Sequence, residues 1–120
     1  MAQIIAKEAL PFDQYAWEFQ GDQYGDTQVS CIIVEAQPGE GPKLHSHPYA
    51  EVFIVQEGQA TFTVGSDTIA VTAGQIVIAP AEVPHKFINS GIGTLRQVDI
   101  HASPRFITTW YDENPATENA

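Results

Sequence analysis

Glycine, proline, asparagine and aspartate break this chain so often that no stretch is left with the sustained 3.6-residue apolar period of an ordinary helix. Between the breaks stand short runs rich in aromatic and β-branched residues: 15–19, 28–35, 51–56, 59–64, 68–71, 75–78, 86–89 and 95–101. Such runs suit pleated strands, because branched side chains pack well on a half-buried sheet surface. Glu57-Gly58 reads as a tight hairpin with Gly58 in the left-handed region. Ser90, Gly91, Ile92 and Gly93 separate the last two of these runs, and residues 105–111 form a closing apolar segment. Nine or ten short strands with frequent turns predict an all-β fold, a sandwich or barrel, over residues 1–111. The polar tail, 112–120, is expected to fray.

At 120 residues the chain is one domain, long enough to bury a core without staples. Its formal charge of −10, from fifteen acidic and five basic side chains, argues against nucleic acid as a partner. The few cations leave little to grip phosphate; Lys43 and Arg96 are the nearest in sequence to the histidines discussed below. No apolar run approaches the ~20 residues that span a bilayer, so no membrane partner is expected. Residues 1–8 lack a basic stretch followed by an apolar core, which predicts no secretion signal and a cytoplasmic location. Cys31 stands alone in an apolar run and reads as a buried, inert thiol. Residues 3–6 are apolar and strand-like with no neighbour in sequence to pair with, which predicts pairing with a second copy in a homodimer.

Three of the four histidines sit in two short segments. His45, His47 and Glu51 are all odd-numbered, so a strand through them aims all three at one face, together with Tyr49, Phe53 and Val55. Pro48 interrupts that ladder and calls for a bulge or an edge. His85 follows Pro84 and shares odd register with Phe87 and Asn89. Any one of these histidines reads most simply as a hydrogen-bonded structural residue. Together, three imidazoles and a carboxylate suit one divalent transition-metal ion such as Fe, Mn, Ni, Co or Zn. Four such ligands leave an open position for water or substrate.

The spacings also carry a resemblance. Gly39, His45, His47, Glu51 and Gly58 match the first motif of the cupin family, and Gly74, Pro80, His85 and Asn89 match the second. Glu82 departs from the pattern by standing where the family has glycine. The fifteen residues 59–73 between the motifs have the short length seen in compact members. The chain therefore resembles a small single-domain cupin, which implies an antiparallel jelly-roll-like β-barrel. By that resemblance His45, His47, Glu51 and His85 are the metal ligands, and Asn89 ties down a strand end. A non-glycine residue at a left-handed position costs about 1 kcal/mol, so the loop at Glu82 is expected to take another shape, with the Glu82 carboxylate solvated or, as the alternative, at the cavity mouth.

The fourth histidine, His101, lies in a strand whose Val98 and Ile100 look like the buried set, which turns His101 outward. The resemblance nonetheless implies a place for it near the cavity rim, where it and Glu51 are the candidate acid–base groups. Tyr49, Phe53 and Phe87 are the candidate pocket wall. The reading that follows is a metal-binding protein acting on a small organic molecule, with a dioxygenase-like oxidoreductase first. A non-catalytic ligand binder or sensor is the alternative, and a metal-dependent isomerase or decarboxylase a further one.

Overall fold

The computed structural model describes residues 1–111 and is almost entirely β. Its strands are β1 (Phe12–Asp13), β2 (Ala16–Phe19), β3 (Ser30–Ala36), β4 (His45–Ser46), β5 (Glu51–Glu57), β6 (Gln59–Val64), β7 (Asp67–Thr72), β8 (Ile76–Ala79), β9 (His85–Asn89), β10 (Leu95–His101) and β11 (Thr109–Trp110). They form two antiparallel sheets, ordered β1-β2-β3-β10-β5-β8 and β11-β4-β9-β6-β7. This is the all-β jelly-roll expected, built as two facing sheets. No helix among the described residues is long and apolar enough to cross a membrane.

The sheets close on one apolar core. Phe53, Val55 and Val34 of the first meet Phe62, Phe87 and Ala60 of the second, all 4% exposed or less. The Phe53 and Phe62 rings cross edge-on at 5.0 Å between centroids. Burying each such side chain contributes about 1.5–3 kcal/mol, enough for these few aromatics to hold the sheets together.

Four local expectations are corrected. Glu57-Gly58 is not a hairpin, because β5 and β6 belong to different sheets. Gly58, at φ 89°, is instead a corner, and a Cβ there would sit 2.6 Å from the Thr94 carbonyl oxygen. The true hairpin is β6–β7, turning at Gly65 with φ 58°. Likewise no single strand runs through His45, His47 and Glu51: the chain leaves β4 at Ser46, passes Pro48 and enters β5 in the opposite sheet. Residues 3–6 form no strand, and Ile4 is 96% exposed.

The fourth correction concerns β10. Gln97, Asp99 and His101 are its buried face, each at most 2% exposed, while Val98 and Ile100 are half-buried on the other side. The expected alternation holds in period and is reversed in phase. A strand facing a polar cavity turns its polar set inward, so polarity alone points the wrong way.

Candidate metal centre and its cavity

His45 and His85 are direct cross-strand partners in β4 and β9. From the facing sheet, β5 contributes Glu51, with His101 of β10 beside it in register. His47 lies just past β4. One ligand atom from each of His45, His47, Glu51 and His85 falls within 4.8 Å of the others, and all four residues are buried. The structure thus brings the predicted set together from both sheets.

Hydrogen bonding fixes how each imidazole is presented. His45 Nδ1 lies 2.7 Å from the Lys43 carbonyl oxygen, His47 Nδ1 2.8 Å from that of Ile107, and His85 Nδ1 2.9 Å from that of Val83. A carbonyl only accepts, so each Nδ1 carries a proton and each ring turns its Nε2 toward the centre. Backbone carbonyls that orient histidines in this way are characteristic of metal ligation. Burial holds His45 in its neutral form, with a pKa of about 4; the Lys43 carbonyl opposes that shift only in part.

The centre is otherwise badly matched. His47 Nε2 and His85 Nε2 each stand 3.0 Å from Glu51 Oε1. One oxygen faces both rings, yet only the His85 contact has hydrogen-bond geometry, and His47 Nε2 is buried without a hydrogen-bond partner. Burial alone would raise the Glu51 pKa, yet contacts from His101, His47 and His85 hold it well below the carboxylate range. A buried carboxylate among three imidazoles is the donor set that a divalent cation satisfies. These residues fit the ion.

His101 stands between Glu51 and Tyr49. Its Nε2 is 3.0 Å from Glu51 Oε2, though not aligned as a hydrogen bond, and its Nδ1 is 2.7 Å from the Tyr49 hydroxyl. The Ile107 N–H donates to that hydroxyl at 3.3 Å. Tyr49 also stacks on His47 at 5.0 Å, so it stands behind two histidines and outside the cavity lining.

The cavity itself has a volume of about 910 Å³ and is lined by His45, His47, Glu51, Phe53, Phe87 and His101, among others. Lys43 lies on its edge, whereas Arg96 is held elsewhere by Glu35 at 2.9 Å. A second hollow of about 570 Å³ near β7 and β8 has Asp67 as its single ionisable lining residue, which leaves no chemistry there to argue from. Sequence reasoning missed Tyr15, Glu18, Asp99, Phe106 and Trp110, which also line the large cavity. The signal available for Asp99 was its shared register with His101.

The loop before His85 keeps the form a glycine would give it. Glu82 sits at φ 69°, exposed, and its N–H donates to the His47 carbonyl at 2.7 Å, tying that loop to the first motif. Asn89 donates through Nδ2 to the Ala36 and Gly93 carbonyls and accepts from the Gly91 N–H. Cys31 is half-buried, and burial followed by the nearby Asp99 raises its pKa, so the thiol is not activated.

Comparison with known proteins agrees with this geometry. Residues 32–101 match the family described as the cupin domain. The chain is 36% identical over 81 residues to the polyketide synthase CurC of Streptomyces cyaneus, covering 67% of this chain and 52% of that protein. It spans about half the length or less of the first curated relatives it matches. Among solved structures, a double-stranded β-helix protein of Klebsiella pneumoniae superposes with a TM-score of 0.72 at 20% identity, covering 94% of this chain and 100% of that one. An oxalate decarboxylase of Bacillus subtilis with Mn(II) centres superposes with a TM-score of 0.75 at 22% identity, covering 86% of this chain and 30% of that one.

Proposed function

This chain belongs to the cupin family, and from that premise we propose that it binds one divalent transition-metal ion through His45, His47, Glu51 and His85 and acts as a dioxygenase-like oxidoreductase on a small, partly apolar organic molecule. One observation carries the reading: three imidazoles and a carboxylate converge, buried, at the wall of a cavity wide enough for a ligand. When bound, the ion supplies Lewis-acid or redox chemistry at a position the protein leaves open.

The protein's own residues do the rest. Phe53 and Phe87 hold the apolar body of the ligand and exclude water. Glu51 and His101 are the groups within reach of a transferred proton, and Tyr49 fixes the His101 ring through Nδ1. Oxalate, named for the Bacillus subtilis neighbour, suits this cavity poorly, because Lys43 is the single lysine or arginine lining it. Residues 3–6 form no strand, and Gln3, Ile4 and Ala6 are exposed, which supports a homodimer formed through that segment; equilibrium sedimentation showing a monomer at micromolar concentration would retire it.

The test has two stages. Elemental analysis of natively expressed protein, made before any affinity step, is expected to give one transition-metal ion per chain. Dioxygen uptake by the Fe(II)-loaded protein is then measured with catechols, flavonols and small diketones. Uptake supports the oxidoreductase. Tight ligand retention without uptake replaces it with the non-catalytic binder.

A further inference from the structure

We propose that the wall formed by Tyr15, Glu18 and Asp99 is a metal-independent recognition surface that selects an uncharged, hydroxyl-bearing aromatic ligand over an anionic one. The proposal rests on reading this cavity as the binding site, and it names the class of molecule the site takes.

The register of the first sheet places the groups. Glu18 of β2 pairs with Ile32 of β3, Ile32 pairs with Asp99 of β10, and Asp99 pairs with Phe53 of β5. Cross-strand partners share a face, so these four side chains form one row across the sheet, about 4.8 Å apart per strand. The next row inward on β10 and β5 is His101 beside Glu51. A ligand reaching the metal ligands therefore lies along this row, with Tyr15 beside it on the cavity lining.

Composition of the row decides what it binds. Asp13, Glu18, Glu51 and Asp99 line the cavity against one lysine. An anionic ligand meets like charge or carboxyl groups that must stay protonated, and desolvating it here goes uncompensated. A ligand cation meets Lys43 on the same lining, and the Asp99 carboxyl is already engaged by Gln97 Nε2 at 2.8 Å. A carboxyl accepts a hydrogen bond in either protonation state and a phenol both donates and accepts, which is what a ligand hydroxyl requires. The remaining lining, Phe53, Phe87, Phe106 and Trp110, offers aromatic surface for a planar ring. The volume of about 910 Å³ is in the range of small-molecule sites.

Three probes of one shape test the claim: 4-methylphenol, 4-methylbenzoate and 4-methylbenzylammonium, titrated calorimetrically into the full chain before and after EDTA treatment. In the metal-free protein the phenol is expected to bind at least about tenfold more tightly than either ion. Glu18→Leu, at a half-buried position, is expected to lower phenol affinity about fivefold or more, and Asp99→Asn, which still donates and accepts, by less than about twofold. Benzoate binding level with or above the phenol overturns the proposal. So does tighter binding of the benzylammonium, or unchanged phenol affinity in a folded Glu18→Leu variant. A chain that never holds metal but ranks the probes as expected sinks the metal reading and leaves this one. A chain that loads metal yet, once stripped, favours benzoate does the reverse.

Discussion

Glu51 Oε2 stands 3.0 Å from His101 Nε2, the one contact of this carboxylate that leads away from the other three histidines. Glu51 Oε1 meanwhile serves His47 and His85. The two oxygens thus divide the site into a metal side and a proton side. His47→Ala and His85→Ala are expected to lose most bound metal, because each removes a lone pair that a backbone carbonyl has already oriented. His101→Ala should keep it near stoichiometry. Elemental analysis of the three variants decides, and full retention in both ligand variants would count against the assignment.

Tyr49→Phe removes the 2.7 Å partner of His101 Nδ1 and the acceptor for the Ile107 N–H, without touching the cavity lining. A buried polar group left unpaired costs about 1–3 kcal/mol, so the melting temperature should fall by several degrees. Metal content is expected to be unchanged. Differential scanning calorimetry with elemental analysis on the same sample separates the two effects.

Gly58 and Gly74 both lie in the left-handed region, at φ 89° and 91°, but their surroundings differ. A Cβ at Gly74 meets nothing within 4 Å, whereas at Gly58 it meets the Thr94 oxygen at 2.6 Å and Leu95 Cα at 3.2 Å. Gly74→Ala should therefore cost only the backbone strain, about 1 kcal/mol. Gly58→Ala adds backbone displacement of about 1–3 kcal/mol. Urea unfolding of both variants should rank them in that order; equal midpoints would contradict it.

These contrasts show how far the sequence could be read. The residues that build the site were legible because their chemistry is rare in this chain and their spacing is fixed by turns: Gly39 and Asn89 even join the two motifs through a 2.9 Å backbone hydrogen bond. Period was legible too, and it gave most strands within two residues. What strand faces which sheet was not, because that depends on pairing between residues distant in sequence. The corner at Gly58 looks like a hairpin locally, and only the partners of β5 and β6 distinguish the two. Gln97, Asp99 and His101 were hidden by the opposite difficulty: a polar interior reverses the usual sense of the alternation. Of residues 105–111, just Thr109 and Trp110 pair as a strand, while Ile107 serves His47 and Tyr49 through its backbone, a role no side-chain pattern encodes. The tail at 112–120 lies outside the described residues.

Asp99 supplies the last prediction, a dependence on pH. It is 2% exposed, accepts from Gln97 Nε2 at 2.8 Å, and burial, then the charge of Glu51, raises its pKa well above the usual carboxylate range. An acid whose folded pKa exceeds its unfolded value of about 4 holds its proton more tightly in the folded chain. Stability is then fully present below the unfolded value and is lost as pH rises toward the folded one. Asp99→Asn keeps the oxygen that Gln97 needs but has no proton to lose, so it escapes this loss. In metal-free protein the variant should melt higher than the parent at pH 7, and the gap should shrink steadily as pH falls toward about 4. Thermal melts at half-unit steps measure this directly; a gap that is constant with pH, or that widens in acid, would show that the Asp99 carboxyl is not the group responsible.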